Sequence, residues 1–248
     1  MSCMAIQMYI FFRKIAIRCV LADQGSIHIP CGPRFIAAMP VRHTSVKPSG
    51  VMIWTFELVD GHGDPPLHAE GVRQAELVGA RLAAEEIHGI YVTKLQRTAQ
   101  TAAPLAARLG IVPVVDPDLH EVHLGDWEGG LLRQKAAQLD PLYLRMQEDQ
   151  DWGHIPNAES VTALAERCVR AVRRIHSNHP DERVAVFVHG GVIGSLLAHA
   201  TKARNFAFNG ADNGSIHHLV ISGEDWRLRC YNDTAHLGGF TPQAQGMT

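Results

Sequence analysis

The sequence predicts an α/β protein: a three-layer α/β/α arrangement around a mostly parallel central sheet. Three observations carry that expectation. From about residue 35 onward, short apolar runs alternate with amphipathic helical stretches. One run, Arg183 to Val188, is almost wholly apolar, as a strand covered on both faces must be. The strand–helix–strand spacing leaves room for crossover helices, which parallel neighbours require. A chain of 248 residues with 46% apolar and 19% charged residues can bury a core of this kind.

The elements follow in order. Phe35 to Arg42 reads as a first strand, with Pro40 removing one ladder donor near its end. A long loop then runs through Gly61-His62-Gly63-Asp64-Pro65-Pro66. Glu70 to Glu86 is expected to be helical, with Leu77, Val78, Ala80, Leu82 and Ala83 on its apolar side. Gly89 to Thr93 is a short buried strand, and Thr98 to Leu109 a second helix closed by Gly110. Ile111 to Val115 is another strand, and a helical segment covers Leu131 to Met146. Ser160 to Ser177 is amphipathic and helical. His189-Gly190-Gly191 ends the Arg183–Val188 strand and opens a helix directly. Ile216 to Ile221 and Trp226 to Tyr231 form an edge hairpin with Ser222-Gly223 in its turn. Residues 1–34 fit no periodic template and are expected as an N-terminal extension, with one domain over 35–248.

Composition excludes several function classes. Lys and Arg number 23 against 25 Asp and Glu, a net charge of −2, which argues against electrostatic binding of nucleic acid. Five cysteines without close pairs argue against a disulfide framework and fit a reducing compartment. The apolar run Met4 to Phe12 is far shorter than the roughly 20 residues of a membrane span. Basic residues follow that run rather than precede it, unlike a signal peptide, so a cytoplasmic location is expected.

In an open parallel sheet, ligands bind beyond the carboxyl ends of the strands. Here those ends carry Arg42-His43, then Lys94 to Thr98 with Arg97, then Asp118-Leu119-His120-Glu121, then His189-Gly190-Gly191. Two arginines, two histidines, helix N-termini and a carboxylate suit a phosphoryl group: guanidinium forks match its oxygens and helix N–H groups add donors.

These blocks resemble the histidine phosphatase superfamily, the phosphoglycerate mutase-like group. Tyr91 to Ala102 is similar to its strand–Ser–x–x–x–Arg–Thr–x–x–Thr–Ala signature, with Thr93 in the usual Ser position. Leu67 to Ala75, Glu121 to Gly129 and Val188 to Gly191 resemble three further blocks, in order. The family opens with Arg-His-Gly at the end of its first strand. Arg42-His43-Thr44 is the equivalent here, with Thr44 in place of the glycine. Gly61-His62-Gly63 is a rival placement that keeps His-Gly but loses the arginine.

The resemblance implies a metal-independent phosphomonoesterase without cofactor that acts on a small phosphorylated substrate. It implies catalytic roles for His43, Glu121 and His189, and phosphate contacts from Arg42, Arg97, His189 and Gly190. Glu121 needs a raised pKa to serve as general acid. Mutase-type transfer, or a catalytically impaired phosphate- or partner-binding protein, are the alternatives, the second motivated by Thr44. His120-x-x-His123 could suggest a metal, but no further ligand falls at a convincing spacing. Neither a nucleic acid nor a membrane is expected as partner, and a homodimer stays open.

Overall fold

The computed structural model describes residues 6–12, 58–59 and 62–238. Strands β1 (Ile6–Phe12), β2 (Leu58–Val59) and β3 (His62–Gly63) precede helix α1 (Ala69–Leu82). Strand β4 (Gly89–Val92), helix α2 (Gln96–Leu109) and strand β5 (Val114–Val115) follow. Helices α3 (Leu131–Ala137), α4 (Pro141–Asp149) and α5 (Val161–Asn178) lead to β6 (Arg183–Val188) and α6 (Gly190–Thr201). The chain then forms β7 (Ile216–Ser222) and β8 (Asp225–Asp233).

The main sheet has the order β5-β4-β6-β1-β7-β8. Neighbours from β5 to β1 are parallel, while β7 and β8 run antiparallel. The expected three layers follow from side-chain alternation along the strands. Ala185 and Phe187 of β6, with Ile90 and Val92 of β4, pack against Val78, Leu82, Ala102 and Leu105 of α1 and α2. Val184, Val186 and Val188 point the other way, to Leu164, Val172, Ile193 and Leu196 of α5 and α6. Phe187 is only 1% exposed. Burying each such large side chain stabilises the fold by about 1.5–3 kcal/mol.

Local chemistry sets the helix ends. Ser160 caps α5, its hydroxyl accepting from Ala163 N. Gly110 ends α2 at φ 68°, a left-handed conformation that a glycine adopts without strain. The helix expected over Leu131 to Met146 is two helices instead. Asp140 accepts from Leu142 N and Pro141 opens α4, so the Asp-Pro pair starts a new helix rather than continuing the old one.

The strand beside β6 also differs from expectation. It is Ile6–Phe12, within the stretch read as an extension, with Met8 fully buried. Ile, Tyr and Phe, which make up most of it, are residue types enriched in strands. Residues 35–42 lie outside the described residues. No described helix is long and apolar enough to cross a membrane.

Candidate active site

At the carboxyl edge of the parallel strands, β4 is followed by Thr93 and α2, and β6 by His189 and α6. His189 is 1% exposed, and its Nε2 lies 3.0 Å from Thr93 Oγ1. Thr93 is itself anchored. Its N–H donates to Thr98 Oγ1 at 3.0 Å, and its hydroxyl oxygen accepts from Leu95 N at 3.2 Å. Sequence reasoning noted Thr93 only as a stand-in for serine; its contact with His189 is formed across the sheet and has no local signal.

Arg97, in the first turn of α2, is buried and donates from Nη1 to Gly63 O at 3.1 Å. Asp64 Oδ1 lies 3.9 Å from the same nitrogen. Burial pulls the Arg97 pKa below its ordinary value, and the charges of Glu121, Asp64 and Glu128 oppose that shift. The guanidinium stays charged, as arginine does in proteins. Arg97 and Glu121 thus share one electrostatic neighbourhood.

Glu121 reaches the start of α6. Its Oε1 accepts from Gly191 N at 3.0 Å and from its neighbour Val122 N at 2.9 Å. Position 191 has to be small: a Cβ there would stand 2.7 Å from Glu121 Oε1 and 2.9 Å from Val122 Cγ1. Asp64 plays a comparable part at α2, where both its oxygens accept from Gln96 N, at 2.9 and 3.1 Å. The sequence suggested these helix starts as open donors for phosphate. The N–H groups of Gln96 and Gly191 are instead bound to carboxylates, which also meet the positive ends of the helix dipoles. Asp64 escaped sequence reasoning because a cap supplied from 32 residues away leaves no local pattern.

The structure therefore brings Arg97, Glu121 and His189 to one edge, with Gly190 as the first residue of α6. Arg42, His43 and Thr44 lie outside the described residues. β1 is followed in the sequence by Arg13-Lys14 rather than by a histidine. The backbone of His62 is in β3, one residue from the carbonyl that Arg97 binds.

The Nδ1 atoms of His120 and His123 are each bound to backbone. His120 Nδ1 donates to Glu121 O at 2.7 Å, and His123 Nδ1 accepts from Gly125 N at 3.2 Å. Among the described residues no cluster of His, Cys, Asp and Glu is suited to a metal ion. Cys168 is fully buried, and burial pushes its thiol up to about 12.

The family model of the histidine phosphatase superfamily (branch 1) matches residues 42–234. The chain belongs to that superfamily. Phosphoglycerate mutase-like protein 4 of Arabidopsis thaliana is 34% identical over 193 residues, which span 76% of this chain and 84% of that protein. A metal-independent phosphoserine phosphatase of the same plant is 29% identical over 182 residues, 72% of this chain and 76% of its own. Among solved structures, a mycobacterial glucosyl-3-phosphoglycerate phosphatase superposes with a TM-score of 0.61 at 31% identity, covering 70% of this chain and 90% of that one.

Proposed function

We propose that this histidine phosphatase superfamily member hydrolyses a small phosphomonoester through a phosphohistidine. The observation that carries this is the convergence of Arg97, Glu121 and His189 at one sheet edge. Neutral His43 attacks phosphorus in line, forming a P–N bond as the ester P–O bond breaks. Arg42, Arg97 and His189 hold the non-bridging oxygens and stabilise their charge in the transition state. Glu121 gives its proton to the departing alkoxide and then takes one from the water that cleaves the P–N bond. Because Oε1 already accepts two N–H groups, the proton exchanges at Oε2. The positive charge comes from side chains, so no metal is needed; one relative named a metal-independent phosphatase supports this.

The start of the family match at Arg42 favours His43 over His62 as nucleophile. A second reading, a phosphate-binding protein without turnover, is favoured by the lack of a histidine directly after β1.

The deciding experiment incubates the full chain with p-nitrophenyl phosphate, with and without EDTA, and traps an acid-labile protein-bound phosphate. Turnover unaffected by EDTA is expected. His43→Ala should abolish both turnover and label while His62→Ala retains them. The reverse result moves the nucleophile to His62, and an inert wild type leaves the binding reading.

A further inference from the structure

Arg167 is an arginine inside an apolar stripe. It lies on α5 between Leu164 and Cys168, on the face that also buries Ala171, Val172 and Ile175, and is itself 7% exposed. A guanidinium in such a place needs every N–H satisfied, and each has a partner. Nε and Nη2 form a fork on Glu159, at 2.6 Å to Oε1 and 2.7 Å to Oε2. Nη1 donates to Asp118 O and His120 O, both at 2.8 Å, and Nη2 donates to Glu121 O at 3.1 Å. Five donors thus meet one carboxylate and three carbonyls of a single short segment.

That segment carries Glu121. Glu159 holds its far side as well: Glu159 N donates to His123 O at 2.8 Å, and Glu159 Oε2 accepts from His123 N at 3.5 Å. The backbone is therefore clamped at 118, 120 and 121 by Arg167 and at 123 by Glu159. Glu121, between the clamps, is left with its carboxyl directed at the first turn of α6.

We infer that Arg167, locked by Glu159, is the positioning residue that aims the Glu121 carboxyl at the leaving-group oxygen. Its role depends on guanidinium geometry and not on charge alone. A lysine at 167 would keep the charge but offer three donors from one point, too few and too close together to hold Glu159 and three carbonyls at once. The inference rests on the phosphatase reading with Glu121 as general acid.

The test compares kcat/KM for p-nitrophenyl phosphate and for an alkyl phosphate such as glycerol phosphate. The nitrophenolate leaves without protonation, whereas the alkoxide requires the acid. Glu121→Gln is the reference and should lose roughly 10²–10⁴-fold on the alkyl ester with only a several-fold loss on the aryl ester. Arg167→Lys should reproduce that selective loss, at roughly tenfold or more on the alkyl ester, with the aryl rate nearly kept.

Equal losses on both esters, or none on either, would show that Arg167 is merely structural and overturn the inference. If Arg167→Lys fails to fold by circular dichroism, Glu159→Gln replaces it, with the same selective loss expected and the same uniform loss disproving. An inactive wild type, or a uniform loss in Glu121→Gln itself, instead overturns the acid reading on which the inference stands.

Discussion

His189 and His217 are both buried histidines whose Nε2 lies 3.0 Å from a hydroxyl, yet they stand in different surroundings, and only His189 belongs to the proposed phosphatase site. His217 sits inside β7 and is 0% exposed. Its Nδ1 accepts from Asn232 N at 3.2 Å, so the proton is on Nε2 and is donated to Ser215 Oγ. The Ser215 hydroxyl in turn donates to Asp212 O at 2.6 Å, and the chain of bonds ends in backbone. Burial pushes the pKa of His217 down to about 3. His189 instead stands one residue past the end of β6 as the N-cap of α6, at the edge where Arg97 and Glu121 converge. A buried imidazole against a hydroxyl is thus no sign of catalysis by itself; the strand end makes the difference.

The sharpest way to break this contrast is to remove each ring. His189→Asn should lower kcat/KM on p-nitrophenyl phosphate by about 10²–10³-fold per folded molecule, the usual cost of losing one donor to a developing oxyanion, beside a stability loss of roughly 1 kcal/mol from the lost Thr93 contact. His217→Asn should leave activity per folded molecule unchanged while lowering stability by roughly 1 kcal/mol, since the Ser215 contact is lost. A folded His217→Asn protein without activity would abolish the distinction.

A second effect, smaller, comes from acid. The folded pKa of His217, about 3, lies below the ordinary 6.5, so the folded state disfavours the proton. Its contribution is fully present above pH 6.5 and is lost as pH falls towards 3, by about 1.4 kcal/mol per unit. Denaturant melts at pH 7 and pH 5 should therefore differ by about 2 kcal/mol more in the wild type than in His217→Asn. His199, His218 and His236, also pushed down by burial, add to the acid sensitivity in both proteins. Equal losses in both proteins would mean that His217 titrates normally.

The two regions also differ in how far the sequence revealed them. The apolar β6 run, the His189-Gly190-Gly191 turn and the amphipathic helix beginning at Ser160 are local patterns, and each is legible. So are Arg97 and Glu121, because the strand ends that deliver them follow from periodicity. Asp64, the Thr93–His189 contact and the Arg167 clamp are contacts between distant segments, which periodicity does not record. Arg167 did leave a trace: a charged residue within an apolar helical stripe signals a buried partner. The place of Ile6–Phe12 between β6 and β7 was hidden for another reason. The stretch reads as too short for a membrane span, unlike a signal peptide, and part of an extension without periodicity, although its β-branched and aromatic residues suit a strand.

The smallest effect concerns Thr93. Thr98 Oγ1 already accepts from Thr93 N at 3.0 Å and donates to Leu95 O at 2.9 Å. The Thr93 hydroxyl accepts from Leu95 N, and its own proton is best placed on His189 Nε2. That bond makes Nε2 an acceptor and puts the imidazole proton on Nδ1. Thr93→Val keeps the shape but removes the donor, so the ring loses its preferred tautomer. A fall in kcat/KM of about tenfold is expected, equal to roughly 1.4 kcal/mol. Thr93→Ser should stay within about threefold of the wild type, because the hydroxyl is retained. Ser215→Ala is the matching change at His217 and should leave the rate untouched, since that tautomer is set by Asn232 N. Equal rates for Thr93→Val and Thr93→Ser would show that the hydroxyl packs against His189 without orienting it, and the likeness between the two histidines would then extend to their hydroxyl partners.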